Sequence, residues 1–204
     1  GLGNLSLKLL PRSRYTVSDV DPLHLEHLGN RFGNYGNVDV RKIDLEDPRD
    51  FDGLEGHFDT VVSLNVLEHV AHDELALRNV YGTLMQGGRA IILVPQGRWL
   101  YGSLDRAVEH CRRYTRRELA EKCRKAGFRI ETVFTFNRVG SLPWFVNGKV
   151  FRRMRFGKMQ LKIFDSFVWL WRILDRVAPF PGLSIIAVAA RPDAPQTRNG
   201  EGGP

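Results

Sequence analysis

Phe58-Asp59-Thr60-Val61-Val62-Ser63-Leu64-Asn65-Val66-Leu67-Glu68-His69-Val70 is the stretch on which the reading of this chain turns. Val61, Val62 and Leu64 form a short apolar run led in by Phe58-Asp59. A run this short, apolar on both faces, predicts a strand covered by helices on both sides. It stops at Asn65, and a polar turn with Glu68 and His69 follows. Ligands of an open parallel α/β sheet bind beyond the carboxyl ends of its strands, so chemistry is expected at Asn65 to His69. The plainer reading is a core strand followed by an ordinary polar loop.

The flanking segments favour the sheet. Downstream, Leu77, Val80, Tyr81 and Leu84 make one apolar helical stripe. Gln86-Gly87-Gly88 is expected to close that helix, with glycine as its left-handed cap, before the strand Ala90-Ile91-Ile92-Leu93-Val94. Upstream, Tyr15-Thr16-Val17-Ser18 reads as a strand ending at Asp19. Asp21 and Pro22 then start a helix carrying Leu25, Leu28 and Phe32. Val38 to Ile43 alternates like an edge strand and ends at Asp44-Leu45. Strands alternating with helices across short turns predict βαβ units and a parallel sheet. Gly1-Leu2-Gly3-Asn4 opens the chain as a glycine turn, with Asn4 expected to cap a short helix. Such turns follow a strand, so the sheet is expected to lack its first strand. Tyr15–Ser18 and Thr60–Leu64 would then lose a ladder partner.

Residues 96–114 form a long connection holding Trp99, Tyr101, Asp105, His110, Arg112 and Arg113. Connections of that length are functional or disordered. Thr115 and Glu118 then make a capping box for a helix with Leu119, Cys123 and Ala126 inward and Gly127 at its end. Phe128 to Phe136 and Leu183 to Ala190 read as the last two strands. Between them the α/β rhythm breaks. Pro143-Trp144-Phe145 and Phe151-Arg152-Arg153-Met154-Arg155 mix aromatic and basic residues, and one helix with a wide apolar arc is expected over 160–177.

The 204 residues suit one domain with a sizeable core. Residues 1–191 are read as that domain, 137–182 as a cap or acceptor insert, and 192–204 as a disordered tail. No apolar run approaches the roughly 18 residues of a membrane span, and no signal peptide opens the chain. Cys111 and Cys123 have neither CxxC spacing nor a disulfide framework, which fits a reducing compartment. A cytoplasmic location is expected, with peripheral contact to a membrane as its variant. The net charge of +7 is uneven. Residues 1–97 carry 9 Lys and Arg against 14 Asp and Glu, whereas residues 98–176 carry 19 against 7. The basic half suggests an anionic partner or surface, against the plainer reading of a solvated face.

The order of these motifs resembles the class I S-adenosylmethionine-dependent methyltransferases, over roughly residues 1–136 and again at the final strand. FDTVVSLNVLEHV and LMQGGRAIILVP are its most specific parts. The resemblance implies an α/β, Rossmann-like sheet with helices on both faces, and S-adenosyl-L-methionine as cofactor. It implies that Gly1 and Gly3 let the backbone approach the methionine end and that Asp19 binds the ribose hydroxyls. Asp44 and Leu45 would flank the adenine, and the backbone of Asn65 would line the pocket. For Asp19 the plainer role is a helix cap, which Asp21 fills better.

Methyl transfer from a sulfonium is an in-line displacement that proximity and orientation can largely supply. A base is needed only for an acceptor that loses a proton, and His69, His110 and Tyr114 are the candidates. Arg112 and Arg113 are candidate clamps for an acceptor carboxylate or phosphate. No metal is expected. The acceptor is read as lipid-linked, a glycan or an amphipathic small molecule. An NAD(P)-dependent oxidoreductase is the first alternative, but no tyrosine has a lysine four residues on. The second is a non-catalytic module that docks on a membrane or partner through residues 141–180. Nucleic acid is disfavoured, because no binding motif accompanies the charge.

Overall fold

Val17, Leu28 and Phe32 are the buried centre of the amino-terminal part of the chain, with Leu10, Tyr15, Val38 and Val40 around them. Strand β1 (Tyr15–Asp19) presents Val17 to that centre and pairs in parallel with β2 (Val38–Lys42). Helix α2 (Pro22–Phe32) makes the crossover. Pro22 supplies its first position, and the Asp21 carboxylate accepts from Leu23 N at 2.8 Å, the cap read from the sequence. The short helix α1 (Ser6–Leu9) precedes β1. Asn4 does not cap it. Leu5 occupies the cap position without a side-chain bond, and the Asn4 amide oxygen accepts from Arg31 instead, at 3.1 Å.

The computed structural model describes residues 2–179 and 181–193, so the expected tail at 192–204 lies almost wholly outside the described residues. The chain forms two compact units, Gly1–Gly53 and Leu54–Pro204. The second is built on a mixed sheet of order β3-β4-β6-β5. Strand β3 (Phe58–Leu64) runs parallel to β4 (Leu84–Pro95), and β6 (Ser184–Ala190) lies antiparallel between β4 and β5 (Arg129–Phe136). Helix α3 (Asp73–Thr83) joins β3 to β4, and α5 (Arg116–Lys125) packs on α3, β5 and β6. The buried interior includes Leu77, Val80, Ile92, Leu119, Cys123 and Ile185. Thr115 caps α5 through Glu118 N, and the Glu118 carboxylate returns to Thr115 N at 2.9 Å.

Three local expectations are corrected. The strand Val61–Leu64 is not buried on both faces: β3 ends its sheet, and Val62 and Leu64 are each 38 % exposed. Gly87 has the expected left-handed φ of +73°, but it is not the cap of α3, which stops at Thr83. Gly87 and Gly88 sit in a bulge of β4, where the register jumps between Phe58 and Thr60. A Cβ on Gly88 would lie 2.8 Å from Met85 O and 3.1 Å from Asp59 O, so the bulge needs glycine. After the short helix α6 (Ser141–Phe145), the single helix expected over 160–177 is two, α7 (Lys158–Ser166) and α8 (Val168–Val177). Ser166 Oγ donates back to Lys162 O at 2.8 Å, and Trp171 Nε1 donates to Phe164 O at 2.9 Å. Both bonds compete with the helical ladder at the junction, Phe167. No residue of α7 or α8 is buried. No helix among the described residues is long and apolar enough to cross a membrane.

Candidate active site

β3 ends as its position in the sheet dictates. Asn65 N still donates to Leu93 O at 2.9 Å, and Asn65 then turns the chain out with a φ of +52°, a conformation asparagine tolerates. Leu67 and Glu68 follow and are buried, whereas His69 is exposed. The long connection 96–114 is ordered and folds back over this turn. Its ends are stitched by Gly97 N to Tyr114 O and Tyr114 N to Pro95 O, both 2.9 Å. Cys111 N donates to Glu68 O at 2.8 Å, which fixes the connection against the turn after β3.

Asp105, in the short helix α4 (Ser103–Ala107), is the hub of the connection and has no solvent exposure. Its Oδ1 accepts from Arg113 Nε at 2.6 Å and faces His110 Nδ1 at 3.0 Å. Its Oδ2 accepts from Gly102 N at 2.9 Å and Trp144 Nε1 at 3.2 Å. A carboxylate engaged four times is an acceptor only, so His110 carries a proton on Nδ1, and its Nε2 is left turned toward Glu68. Burial alone would raise the Asp105 carboxyl, but the bonds from His110 and Arg113 hold it below its ordinary value. Arg113 also donates to Gln96 O at 2.9 Å and lies over the Trp144 ring at 4.9 Å.

His110 Nε2 faces Glu68 Oε1 at 3.7 Å, too far for a hydrogen bond. Glu68 is fully buried, and neither carboxylate oxygen has a hydrogen-bond partner. Burial raises the Glu68 carboxyl to about 7, and its own amide, His110 and Arg113 offset part of the effect. The His69 and His110 rings meet edge to face, with centroids 4.9 Å apart. Burial, and then His110, lower the His69 imidazole below its ordinary value.

The structure therefore brings His69 and His110 together, with Glu68 beside them, at the carboxyl end of β3. Tyr114 stands apart in a second network. Its hydroxyl donates to Asp73 Oδ2 at 2.8 Å and lies 3.2 Å from Leu67 O. Burial and Asp73 raise the phenol, so Tyr114 stays protonated and holds the connection to α3. Arg112 and Arg113 are not free clamps. Arg112 is 3.1 Å from Asp73 Oδ2, and Arg113 is consumed by Asp105. Arg98, Arg112 and Lys122 line a basic recess of about 440 Å³.

Four cofactor candidates lie in the first unit, and a fifth, Gly1, lies outside the described residues. Gly3 has a φ of +70°, and a Cβ there would meet Phe32 Cε2 at 2.6 Å, so only glycine fits this turn. Asp19 Oδ1 accepts from Val20 N at 2.8 Å and Asp21 N at 3.0 Å, which organises the turn after β1. Asp44 N donates to Asp50 Oδ2 at 2.8 Å, Asp44 Oδ1 accepts from Glu46 N at 2.9 Å, and Leu45 follows in the same turn. Glu68 and Asp105 were not among the sequence candidates. The available signal was an acid inside the apolar frame of Val66-Leu67-Glu68-His69-Val70, and Asp105, His110 and Arg113 within one long connection.

Residues 1–90 match a family model described as a methyltransferase domain. Over 85 residues the chain is 32 % identical to "Highly reducing polyketide synthase 2" of Gibberella zeae, a match covering 40 % of this chain and 3 % of that protein. The chain thus spans a small fraction of the length of such a relative. Solved structures share the fold. An S-adenosylmethionine dependent methyltransferase from Mesorhizobium loti superposes with a TM-score of 0.64 at 16 % identity, over 94 % of this chain and 87 % of that one. The trans-methyltransferase CalH, solved in complex with SAH, superposes with a TM-score of 0.58 at 18 % identity, over 94 % of this chain and 49 % of that one. The sheet topology, the crossovers and the matched residues define an α/β, Rossmann-like methyltransferase fold. The family match covers residues 1–90, so over that part the chain resembles the class I S-adenosylmethionine-dependent methyltransferases, and beyond it the solved structures share its fold.

Proposed function

We propose that this chain transfers a methyl group from S-adenosyl-L-methionine to an amphipathic or lipid-linked acceptor with an anionic head. The family match over residues 1–90 supports the reaction. The observation that carries the acceptor class is the outer surface of α7 and α8. Met159, Leu161, Ile163, Trp169 and Ile173 are each between 49 % and 69 % exposed there. Arg152, Arg153, Arg155, Lys158 and Lys162 lie at one end of that surface in sequence. Apolar area beside a basic cluster complements a molecule with an apolar tail and an anionic head.

Cofactor roles fall to Gly1 and Gly3 at the glycine turn, Asp19 for the ribose, Asp44 and Leu45 for the adenine, and the Asn65 backbone after β3. The family motif supports each of them separately. For a hydroxyl acceptor, the Glu68, His69 and His110 cluster is where its proton leaves. Tyr114 serves as support for that cluster. The test is calorimetric titration of the chain with S-adenosyl-L-methionine, followed by transfer of labelled methyl to lipid extracts. Asp19→Ala removes charge-assisted bonds worth about 1.5–3 kcal/mol each, so binding should weaken at least tenfold. Unchanged affinity would remove Asp19 from the site.

The exposed surface also favours a second reading, a docking module without catalysis. Absence of S-adenosyl-L-methionine binding together with vesicle binding would select it.

A further inference from the structure

We infer that Glu68, His69 and His110 form a site for a divalent transition-metal ion of the zinc type. One ligand atom from each lies within 4.8 Å of the others. Three independent features of the cluster point to a cation. Glu68 is buried without exposure and both its oxygens lack a hydrogen-bond partner, which is costly unless a positive group meets them. His110 Nε2 faces that carboxylate at 3.7 Å, beyond hydrogen-bond reach and close enough for both to turn to one ion. That orientation is enforced from behind by the Asp105 bond to Nδ1, and Asp105 is itself locked by Arg113, Gly102 and Trp144. A histidine backed by a carboxylate is the usual support of a metal-bound imidazole.

The ligand types narrow the metal. Two imidazoles and one carboxylate suit zinc and its neighbours and not calcium or magnesium, which prefer oxygen alone. Three protein ligands leave a coordination position open, as in catalytic rather than structural zinc sites. Bonds of about 2.1 Å at tetrahedral angles hold ligand atoms about 3.4 Å apart, so the cluster must tighten on binding. His69 is the exposed member, so the tightening falls mainly to it. A backbone hydrogen bond at Glu109 orients its ring.

Binding of the ion does not depend on the methyl-transfer reading, but its consequence does. An acceptor hydroxyl in the open position would have its pKa lowered by the ion. Its O–H bond breaks, the proton leaves to solvent, and the oxygen keeps the pair. That oxygen then bonds to the methyl carbon as the carbon–sulfur bond breaks toward sulfur.

The test is titration of the chelator-treated full chain with Zn2+ by calorimetry, with Co2+ absorption in the visible as a report on the ligands. One equivalent should bind, and Glu68→Gln and His69→Ala should each weaken it at least tenfold. Cys111, whose Sγ lies 3.5 Å from His69 O, is a competing ligand close by, and Cys111→Ser should leave binding unchanged. His69 is exposed, so its variant stays informative if the Glu68 variant misfolds. Absence of saturable one-equivalent binding overturns the proposal. So does equal binding by the parent and His69→Ala, or loss in Cys111→Ser. Zinc binding without methyl transfer would keep the site and overturn only its catalytic consequence.

Discussion

The connection 96–114 and the helices α7 and α8 invert each other. In the connection, charge is inside: Asp105, Arg113 and Glu68 are buried, and polar bonds decide where the backbone runs. In α7 and α8 the apolar side chains are outside, and neither helix contributes a buried residue. A buried ion pair fixes one geometry, because any other leaves a desolvated charge unmatched. An exposed apolar face fixes none and gains free energy when another surface covers it. The first region is suited to holding reacting groups, the second to gripping molecules of varied shape.

The sharpest way to break that contrast is Arg113→Ala. It leaves Asp105 buried without its cation, and removing one partner of a buried pair costs about 3–5 kcal/mol. The urea midpoint should fall accordingly, and a loss near zero would show the pair to be dispensable. Next comes Glu68, whose folded carboxyl is raised to about 7 from an ordinary 4.5. A raised folded pKa contributes stability that is fully present below pH 4.5 and lost as pH rises through 7. In chelator, the parent should therefore lose on the order of 3 kcal/mol across that window. Glu68→Gln should flatten the dependence, as read from melting curves at pH 5 and 8. Thr115→Ala, which removes the cap of α5, should cost about 1 kcal/mol. Ile173→Glu, on the exposed face, should change stability by less than about 0.5 kcal/mol. It should nevertheless weaken sedimentation with anionic vesicles. A large drop in melting temperature would mean that this face is already covered.

Legibility in the sequence followed the range of the forces involved. The α2 cap at Asp21, the α5 capping box and the position of β6 could be read because each is set by residues within a few places. His69 and His110 were candidates singly, but their meeting depends on a connection that returns over 41 residues. Glu68 lies inside the turn where chemistry is expected, but its neighbours along the chain say nothing about its burial, so it does not stand out as a candidate beside His69. Glycine at 87 signalled a left-handed residue correctly. Whether that residue ends a helix or bulges a strand was decided by the approach of Asp59 O and Met85 O to Gly88. The break at Phe167 was hidden because the apolar rows continue through it, and Trp171 and Ser166 redirect the backbone bonds.

Phe136 at the end of β5 stands directly across from Ser184 at the start of β6, and Leu183 N donates to Asn137 O at 2.9 Å. The sheet therefore meets the whole excursion between these strands at two adjoining points, like the jaws of a socket. Gly182 makes the joint, since a Cβ there would fall 2.1 Å from Thr135 Cγ2. The first part of the excursion is tied down, with Ser103 Oγ donating to Gly148 O at 3.0 Å. The stretch that follows, containing α7 and α8, is tied back beside β5 by Asp175, which accepts from Val139 N at 3.0 Å, and pairs with no strand. Doubling its length would add only about 0.6 kcal/mol of closure entropy. A replacement of that stretch by one of another length should thus leave β5 and β6 paired as they are.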